Sequence, residues 1–510
     1  MAVPSDPAAW VDRAARTYPQ RLFLKSPQGR QYDYGVLRNE TGRFAAALAR
    51  RGVVPGDRVA AQVEKSIEAV LLYIACLRMG AVFVPINDAN TTNEVDYFLR
   101  DSQPRVAIVR PSHYATLASL GERAGVSHVE VLGRDGETSL FGGAAPADAP
   151  LESAEMSENS LASIIYTSGT TGRSKGAMLT RGNLASNAAA LVDAWHFSSH
   201  DVLLHALPLF HIHGLFAAIN TVLASGSALL LLPRFDSELV LRHMPEVTVF
   251  MGVPTHYTRL LQQPGLNRES TSRMRLFVSG SAPLLAETHR EFLQRTGHAI
   301  LERYGMTETL INTSNLYEGP RLPGSVGKAL PGVAIRLGEY EGTAPEPASH
   351  GVGAVEVAGP NVFAGYWRDP DKTRAEFTAD GWFKTGDMGR IDGEGYLHIV
   401  GRAKDLVISG GYNVYPKEVE AELDALQGVM ESAVFGVPHP DFGEGVTAVV
   451  VGVPGAGLSE RAIIEAVQRR LARYKVPKRV LIVEELPRNA MGKVQKNALR
   501  ATYARLYSDG

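Results

Sequence analysis

The chain is nearly free of cysteine: Cys76 stands alone among 510 residues. No intramolecular disulfide can form, so the fold must hold by burial, and a reducing, cytoplasmic setting is expected. Cys76 lies in the apolar run 71–77, where a small buried hydrophobe is expected rather than a reactive thiol. Long apolar runs are missing too. The stretch 228–233 is among the longest, far short of the ~20 residues of a membrane span. The first ten residues lack a basic start followed by an apolar core, so no secretion signal is read there. Excess charge is also absent: 52 Lys and Arg against 54 Asp and Glu leave a formal −2, with no chain-wide basic field for nucleic acid or an anionic membrane. No repeat of solenoid or propeller period occurs, and no low-complexity tract. The length, in turn, is too great for one hydrophobic core and implies two or more domains.

What is present is alternation. Short apolar runs at 58–63, 106–109, 161–166, 202–206, 228–232, 247–251 and 276–279 read as strands. Helical patterns at 34–51, 67–79, 238–243 and 284–297 lie among them. Such βα alternation implies a largely parallel sheet system covered by helices. Near residue 320 the character changes to short β-like pieces around Val326, Val333, Ile335, Val355 and Val357 separated by glycines, which suggests a small antiparallel or barrel-like unit. From about Lys404 a compact tail follows, with a glycine turn at Gly410 and Gly411 and helices at 416–426 and 460–473. The boundary is read within 401–405, giving domains 1–402 and 403–510.

The most informative segment is 166–176 (YTSGTTGRSKG), directly after an apolar strand. Gly169 and Gly172 let backbone amides approach an anion, the hydroxyls of Thr167, Ser168, Thr170 and Thr171 can donate to phosphate oxygens, and Lys175 adds positive charge. The P-loop spacing is absent, so this is a different cradle, and an ordinary polar turn has much the same composition. The run 172–176 also matches the hydrolase elbow G-x-S-x-G, but that elbow needs its serine on a tight turn directly after a strand, and polar residues intervene here.

Six further segments follow in order: 302–309 (ERYGMTET), 366–370 (YWRDP), 381–387 (GWFKTGD), 401–405 (GRAKD), 410–416 (GGYNVYP) and 487–493 (PRNAMGK). Together with the loop they make nearly the whole chain resemble the adenylate-forming superfamily of acyl-CoA synthetases, luciferases and peptide-synthetase adenylation domains. The resemblance implies an α/β fold: a large N-terminal domain of helix-covered β-sheets plus a small β-barrel, and a mobile α+β C-terminal domain. It implies ATP, Mg²⁺ and coenzyme A as reactants or cofactors, with no nucleic-acid or membrane partner. Residues 167–175 would hold the β- and γ-phosphates, and Glu308 would ligate Mg²⁺. Tyr304 would stack on adenine beside Gly280, Ser281 and Ala282, within a nucleotide-binding set that also takes in Glu302, Arg303, Gly305, Met306 and Thr307. Asp387 and Arg402 would hold the ribose hydroxyls. Lys493 would bind the reacting carboxylate and the α-phosphate, Lys404 would be the hinge of a rotating tail, and Gly410 and Gly411 would line a pantetheine tunnel.

For the acid, segments 208–214 (PLFHIHG), 279–290 (SGSAPLLAETHR) and 307–315 (TETLINTSN) resemble the malonyl-CoA synthetase branch. A dicarboxylate needs a fixed cation for its non-reacting end, and Arg290 is the residue expected to supply it. Arg290 also fits an amphipathic helix pattern, in which exposed arginines are routine. His211 is placed at the pocket entrance, with Ser279 and Met306 beside the substrate, and a metal on His211 and His213 lacks a third ligand. The expected reaction is ligation of malonate, or methylmalonate, to coenzyme A through an acyl-adenylate. Another short, medium-chain or aromatic acid, or a carrier-protein thiol as acceptor, stays open.

Overall fold

The computed structural model describes residues 3–142, 151–167, 174–339, 351–410, 412–489 and 492–507. Its contacts divide the chain into two compact units, Met1–Ala334 with Ala358–Phe377, and Ile335–Val357 with Thr378–Gly510. Among the described residues no helix is long and apolar enough to cross a membrane.

The first unit holds two sheets. The smaller runs His128–Val131, Val106–Val109, Arg58–Gln62, Val82–Pro85, Leu161–Thr167, Lys175–Thr180 from edge to edge. Its first five strands are parallel, and the last two form an antiparallel hairpin. In the larger, nine-stranded sheet, the strands Leu301–Met306, Leu276–Ser279, Val249–Gly252, Val202–His205, Ala228–Leu231 and Leu22–Lys25 are mutually parallel. Parallel strands are covered on both faces, which is why these runs read as continuously apolar rather than alternating. The helix Ile67–Met79 follows the same logic. It is buried along its whole length, Ser66 caps its start by accepting from the Ala69 amide, and Gly80 at φ +78° ends it. A sheet of this kind presents ligands with the carboxyl ends of its strands. The registers Met251↔His205, Gly252↔Ser279 and Ser279↔Glu302 bring those ends level.

The second unit holds two sheets of its own. The strands Ala334–Gly338, Val352–Ala358, Phe383–Ile391 and Leu397–Arg402 form a four-stranded sheet in that order. This is the piece read as barrel-like; among the described residues no pairing of its outer strands closes it. In the tail, Gly443–Gly452 is paired to Val429–His439, Val407–Ser409 and Arg479–Val483, with Val419, Leu423, Ile463 and Val467 from the helices Pro416–Asp424 and Glu460–Gln468 in its core. The boundary read within 401–405 falls inside this unit, between the two sheets, because the four-stranded sheet clusters with the tail.

One carboxyl sets a pH dependence for this unit. Burial raises Asp424 from 3.8 to about 6, against the opposing hydrogen bond donated by the Ser432 hydroxyl at 2.7 Å. The folded state therefore holds a proton that the unfolded chain has released, and stability falls as pH rises from about 4 to about 6, by at most about 3 kcal/mol. Asp424→Asn keeps an acceptor for Ser432. It is expected to raise the urea midpoint of this unit at pH 8 and to leave it nearly unchanged at pH 4.

Candidate active site

The hairpin Leu161–Thr167/Lys175–Thr180 sets Thr167 opposite Lys175, and the Thr167 hydroxyl donates to the Lys175 carbonyl at 3.5 Å. Ser168, Gly169, Thr170, Thr171 and Gly172, expected to hold phosphate, lie outside the described residues. Against the second strand of this hairpin lies the 365–367 segment: the Trp367 amide donates to the Gly176 carbonyl at 2.7 Å and the Met178 amide to that of Gly365 at 2.9 Å. Gly176 makes room on both sides, since a Cβ there would stand 2.7 Å from Ile164 Cγ2 on the paired strand and 3.3 Å from Trp367 Cβ. The docking carries Tyr366 between two expected site residues. Its ring lies under the Lys175 ammonium, 5.4 Å from the centroid, and its hydroxyl donates to Glu308 Oε1 at 3.0 Å. Burial, then Lys372, lowers the Lys175 pKa, with Glu376 and Asp369 opposing.

Glu308 sits on the tight turn between Leu301–Met306 and Leu310–Ser314, 7% exposed. Gly305 has no room for a side chain against the Leu310 carbonyl. Asn361 holds the turn by donating to the Thr309 carbonyl at 2.6 Å, and the Phe363 amide donates to that of Glu308 at 2.8 Å. Among the described residues no group of three or more His, Cys, Asp or Glu could enclose a metal. A lone buried carboxylate suits a divalent cation that takes its remaining ligands from phosphate oxygens and water, as Mg²⁺ does. Tyr304, Met306 and Thr307 are half-buried beside this turn. Glu302 is a pinning residue, accepting from the Gly324 amide at 3.2 Å.

At the carboxyl ends of the parallel strands lies a second cluster. Gly280 closes against Arg303, and a Cβ there would fall on the guanidinium. Ser281 follows at φ +72°, a left-handed conformation unusual for serine, and puts its hydroxyl 3.2 Å from His213 Nδ1. His213 begins the π-helical turn His213–Asn220, and its amide donates to His211 Nδ1 at 3.3 Å. Burial, then the Arg303 cation, pulls the His213 pKa well down, so its imidazole is neutral.

Arg303 is the unusual member. Arg78, equally buried, donates to the Arg38 carbonyl at 2.6 Å, Thr41 Oγ1 at 2.8 Å and Ser153 Oγ at 3.0 Å. Arg303 is 4% exposed, yet its Nε and Nη2 have no partner, and neither do the nearby Ser279 Oγ and His213 Nε2. Burial lowers its pKa to about 9, still cationic at neutral pH. Native proteins leave few buried polar atoms unsatisfied, and a buried cation with open donors is suited to a ligand that accepts from them. A fixed cation makes that ligand an anion. Arg290, by contrast, stands on the outer face of the helix Ala286–Thr296, its side chain 68% exposed and paired to Glu287 at 2.8 Å.

In the second unit, the register Asp387↔Arg402 brings the two expected ribose ligands together, with Arg402 Nε 2.8 Å from Asp387 Oδ1. Lys404 lies in the short turn Ala403–Asp405, its pKa lowered by burial despite Asp405. Lys493 follows a turn at Gly492 (φ +73°), where its amide donates to Asn489 Oδ1 at 3.0 Å. It is exposed to solvent, though partial loss of hydration and then Arg402 lower its pKa, with Asp387 and Asp405 opposing. Gly410 turns at φ +60°; Gly411 lies outside the described residues.

Comparison with known proteins places this geometry in a family. The description "AMP-binding enzyme" fits residues 11–367, and "AMP-binding enzyme C-terminal domain" fits 418–493. The mitochondrial malonate–CoA ligase of Bos taurus is 36% identical over 98% of this chain and 91% of its own. The indoleacetate–CoA ligase of Aromatoleum aromaticum is 34% identical over 97% and 98%. ATP-bound MatB from Rhodopseudomonas palustris superposes with a TM-score of 0.93 at 52% identity, over 98% of this chain and 99% of that one. The location of the bovine relative in mitochondria means that family likeness does not carry the cytoplasmic setting expected from composition.

Proposed function

The chain belongs to the AMP-binding enzyme family, and from that premise we propose that it joins malonate to coenzyme A at the cost of ATP, through malonyl-adenylate. The observation that carries the choice of acid is the buried guanidinium of Arg303, whose Nε and Nη2 have no partner. A fatty or aromatic acid offers nothing to that charge, and burying an uncompensated cation costs several kcal/mol. The distal carboxylate of a dicarboxylate compensates it. Arg303 therefore takes the clamp role expected of Arg290, whose exposed pair to Glu287 is worth little. The similar relative named for indoleacetate makes this discrimination necessary.

In the first half-reaction a carboxylate oxygen bonds to the α-phosphorus of ATP as the bond to the β-phosphate bridging oxygen breaks, releasing pyrophosphate. In the second, the coenzyme A thiol gives up its proton, sulfur bonds to the acyl carbon, and AMP leaves. Lys175 and the hydroxyl loop neutralise charge that builds on the leaving pyrophosphate. Tyr304 stacks on adenine, and Asp387 with Arg402 takes the ribose diol. Glu308, oriented by Tyr366, would hold Mg²⁺, which would neutralise phosphate charge there. Lys493 holds the reacting carboxylate against the α-phosphate. The tail from residue 403 then turns about Lys404, leaving Gly410 to border the pantetheine arm.

Release of AMP with coenzyme A present, across malonate, methylmalonate, propionate, hexanoate and coumarate, tests the reading. Malonate is expected to exceed propionate in kcat/KM by about a hundredfold or more, the value of a desolvated charge pair. Hexanoate or coumarate outperforming malonate would contradict it.

A further inference from the structure

Two carboxylates lie among the cations around Lys493, and an arginine holds each of them. Asp387 takes Arg402 Nε at 2.8 Å. Asp405, next to Lys404 in the turn Ala403–Asp405, accepts from Arg500 Nη2 at 2.7 Å. Arg500 reaches it from the helix Lys496–Thr502, which begins just after Lys493 and is seated by the buried Leu499. The helix is fastened at its first residue too: the Lys496 ammonium meets Glu420 at 2.6 Å, and that carboxylate also accepts from the Val434 amide at 2.9 Å. Asn497 Oδ1 accepts from Arg500 Nη1 at 3.0 Å, so the guanidinium is steadied from its own helix. By contrast, among the described residues neither Lys404 nor Lys493 has a carboxylate partner, although Asp387 and Asp405 lie near enough to favour the charge of both. The other charges facing Lys493 are the cations of Arg402 and Lys404.

We propose that Arg500 is a positioning residue for adenylation: by occupying Asp405 it leaves the Lys493 ammonium free for the reacting carboxylate and the α-phosphate. The proposal rests on Lys493 acting in adenylation, and it gives a task to a side chain whose own contacts are Asp405 and Asn497. Lys493 is exposed on a long, flexible stem, so the charges around it weigh on where its ammonium rests. A carboxylate without a partner at this distance would draw that ammonium to itself, since opposite charges a few Å apart attract even in water. A plain tether between turn and helix would need Arg500 and Asp405 alike. A guard needs Arg500 only while Asp405 carries its charge.

The test is a double-variant rescue in the full chain. Arg500→Ala is expected to lower pyrophosphate exchange about fivefold, the scale of one exposed charge pair, and to leave transfer from preformed malonyl-adenylate to coenzyme A within about twofold. Adding Asp405→Asn to Arg500→Ala should restore exchange to within about twofold of the unaltered protein, and Asp405→Asn alone should cost less than about twofold. Arg500→Lys, which keeps a cation for Asp405, should retain most of the exchange. Raising salt from about 50 to about 500 mM should shrink the Arg500→Ala defect, because capture between exposed charges is screened. Labelling by fluorodinitrobenzene, which reacts with a neutral amine, follows Lys493 by mass spectrometry without ATP or any acid. At about pH 8 the rate at Lys493 should fall about threefold in Arg500→Ala, as the freed Asp405 carboxylate favours the ammonium, and should recover in the double variant. An exchange defect that Asp405→Asn fails to relieve, a loss in Asp405→Asn alone as large as that in Arg500→Ala, or unmoved Lys493 labelling would each overturn the proposal. Failure of malonate as substrate shows separately, as exchange absent with malonate in the unaltered protein, and leaves the labelling comparison as it stands.

Discussion

Arg303→Leu is expected to lower kcat/KM for malonate by about a hundredfold or more while changing that for propionate by less than about threefold. Truncating one partner of a buried charge pair costs about 2–5 kcal/mol, roughly 30-fold to several thousandfold in rate. Propionate has no second carboxylate to lose. Stability separates this from a folding defect. Without ligand the guanidinium is buried with Nε and Nη2 unpartnered, so an apolar replacement removes a penalty and should leave the melting temperature unchanged or higher. Arg290→Ala, which breaks only an exposed pair to Glu287, should cost malonate less than about threefold. Steady-state kinetics with both acids, together with calorimetry, decide the matter. Equal losses for malonate and propionate would take Arg303 out of the clamp role.

Lys493→Ala is expected to lower malonate-dependent pyrophosphate exchange by about a hundredfold to a thousandfold, the range seen when one charge-stabilising donor is removed from a reacting centre. The effect should be unequal between the half-reactions. Supplied with preformed malonyl-adenylate and coenzyme A, the variant should lose under about fivefold, because the α-phosphate transfer has already occurred. The turn should survive truncation, since Lys493 holds it through its main chain, its amide donating to Asn489 Oδ1 and its carbonyl accepting from the Asn489 amide, both at 3.0 Å. Equal losses in both half-reactions would deny Lys493 a role confined to adenylation.

Much of this could be read from the chain before any coordinates. Runs such as 106–109 and 276–279 are strands at those bounds, because parallel strands buried on both faces leave an unbroken apolar signature. The helix Ile67–Met79 is equally plain, bracketed by a serine cap and a glycine stop. What could not be read is adjacency. Tyr366 reaches Glu308 across 58 residues of sequence, and the motif around it gives no hint that its hydroxyl orients a carboxylate. Arg290 looked like the clamp because it belongs to a motif, but its helical position turns it to solvent.

Arg303, expected within the nucleotide-binding set, carries a signal of its own in the sequence. It is part of the strand Leu301–Met306 and adjacent to Tyr304, so the alternation of a strand puts the two on opposite faces. If Tyr304 meets the adenine, Arg303 cannot share that role and must serve whatever lies behind the strand. A buried arginine needs a partner, and the adjacent Glu302 is taken up in accepting from the Gly324 amide. The split of the second unit was hidden for another reason: glycine-separated β pieces show that a sheet exists, not which neighbour it packs with.

The most direct test of the account is pyrophosphate–ATP exchange supported by malonate against malonamate, which keeps the size and the reacting carboxylate but replaces the distal charge with an amide. The account predicts exchange with malonate at least about a hundredfold more efficient in kcat/KM. Equal exchange with the two acids, or none with either, would contradict it.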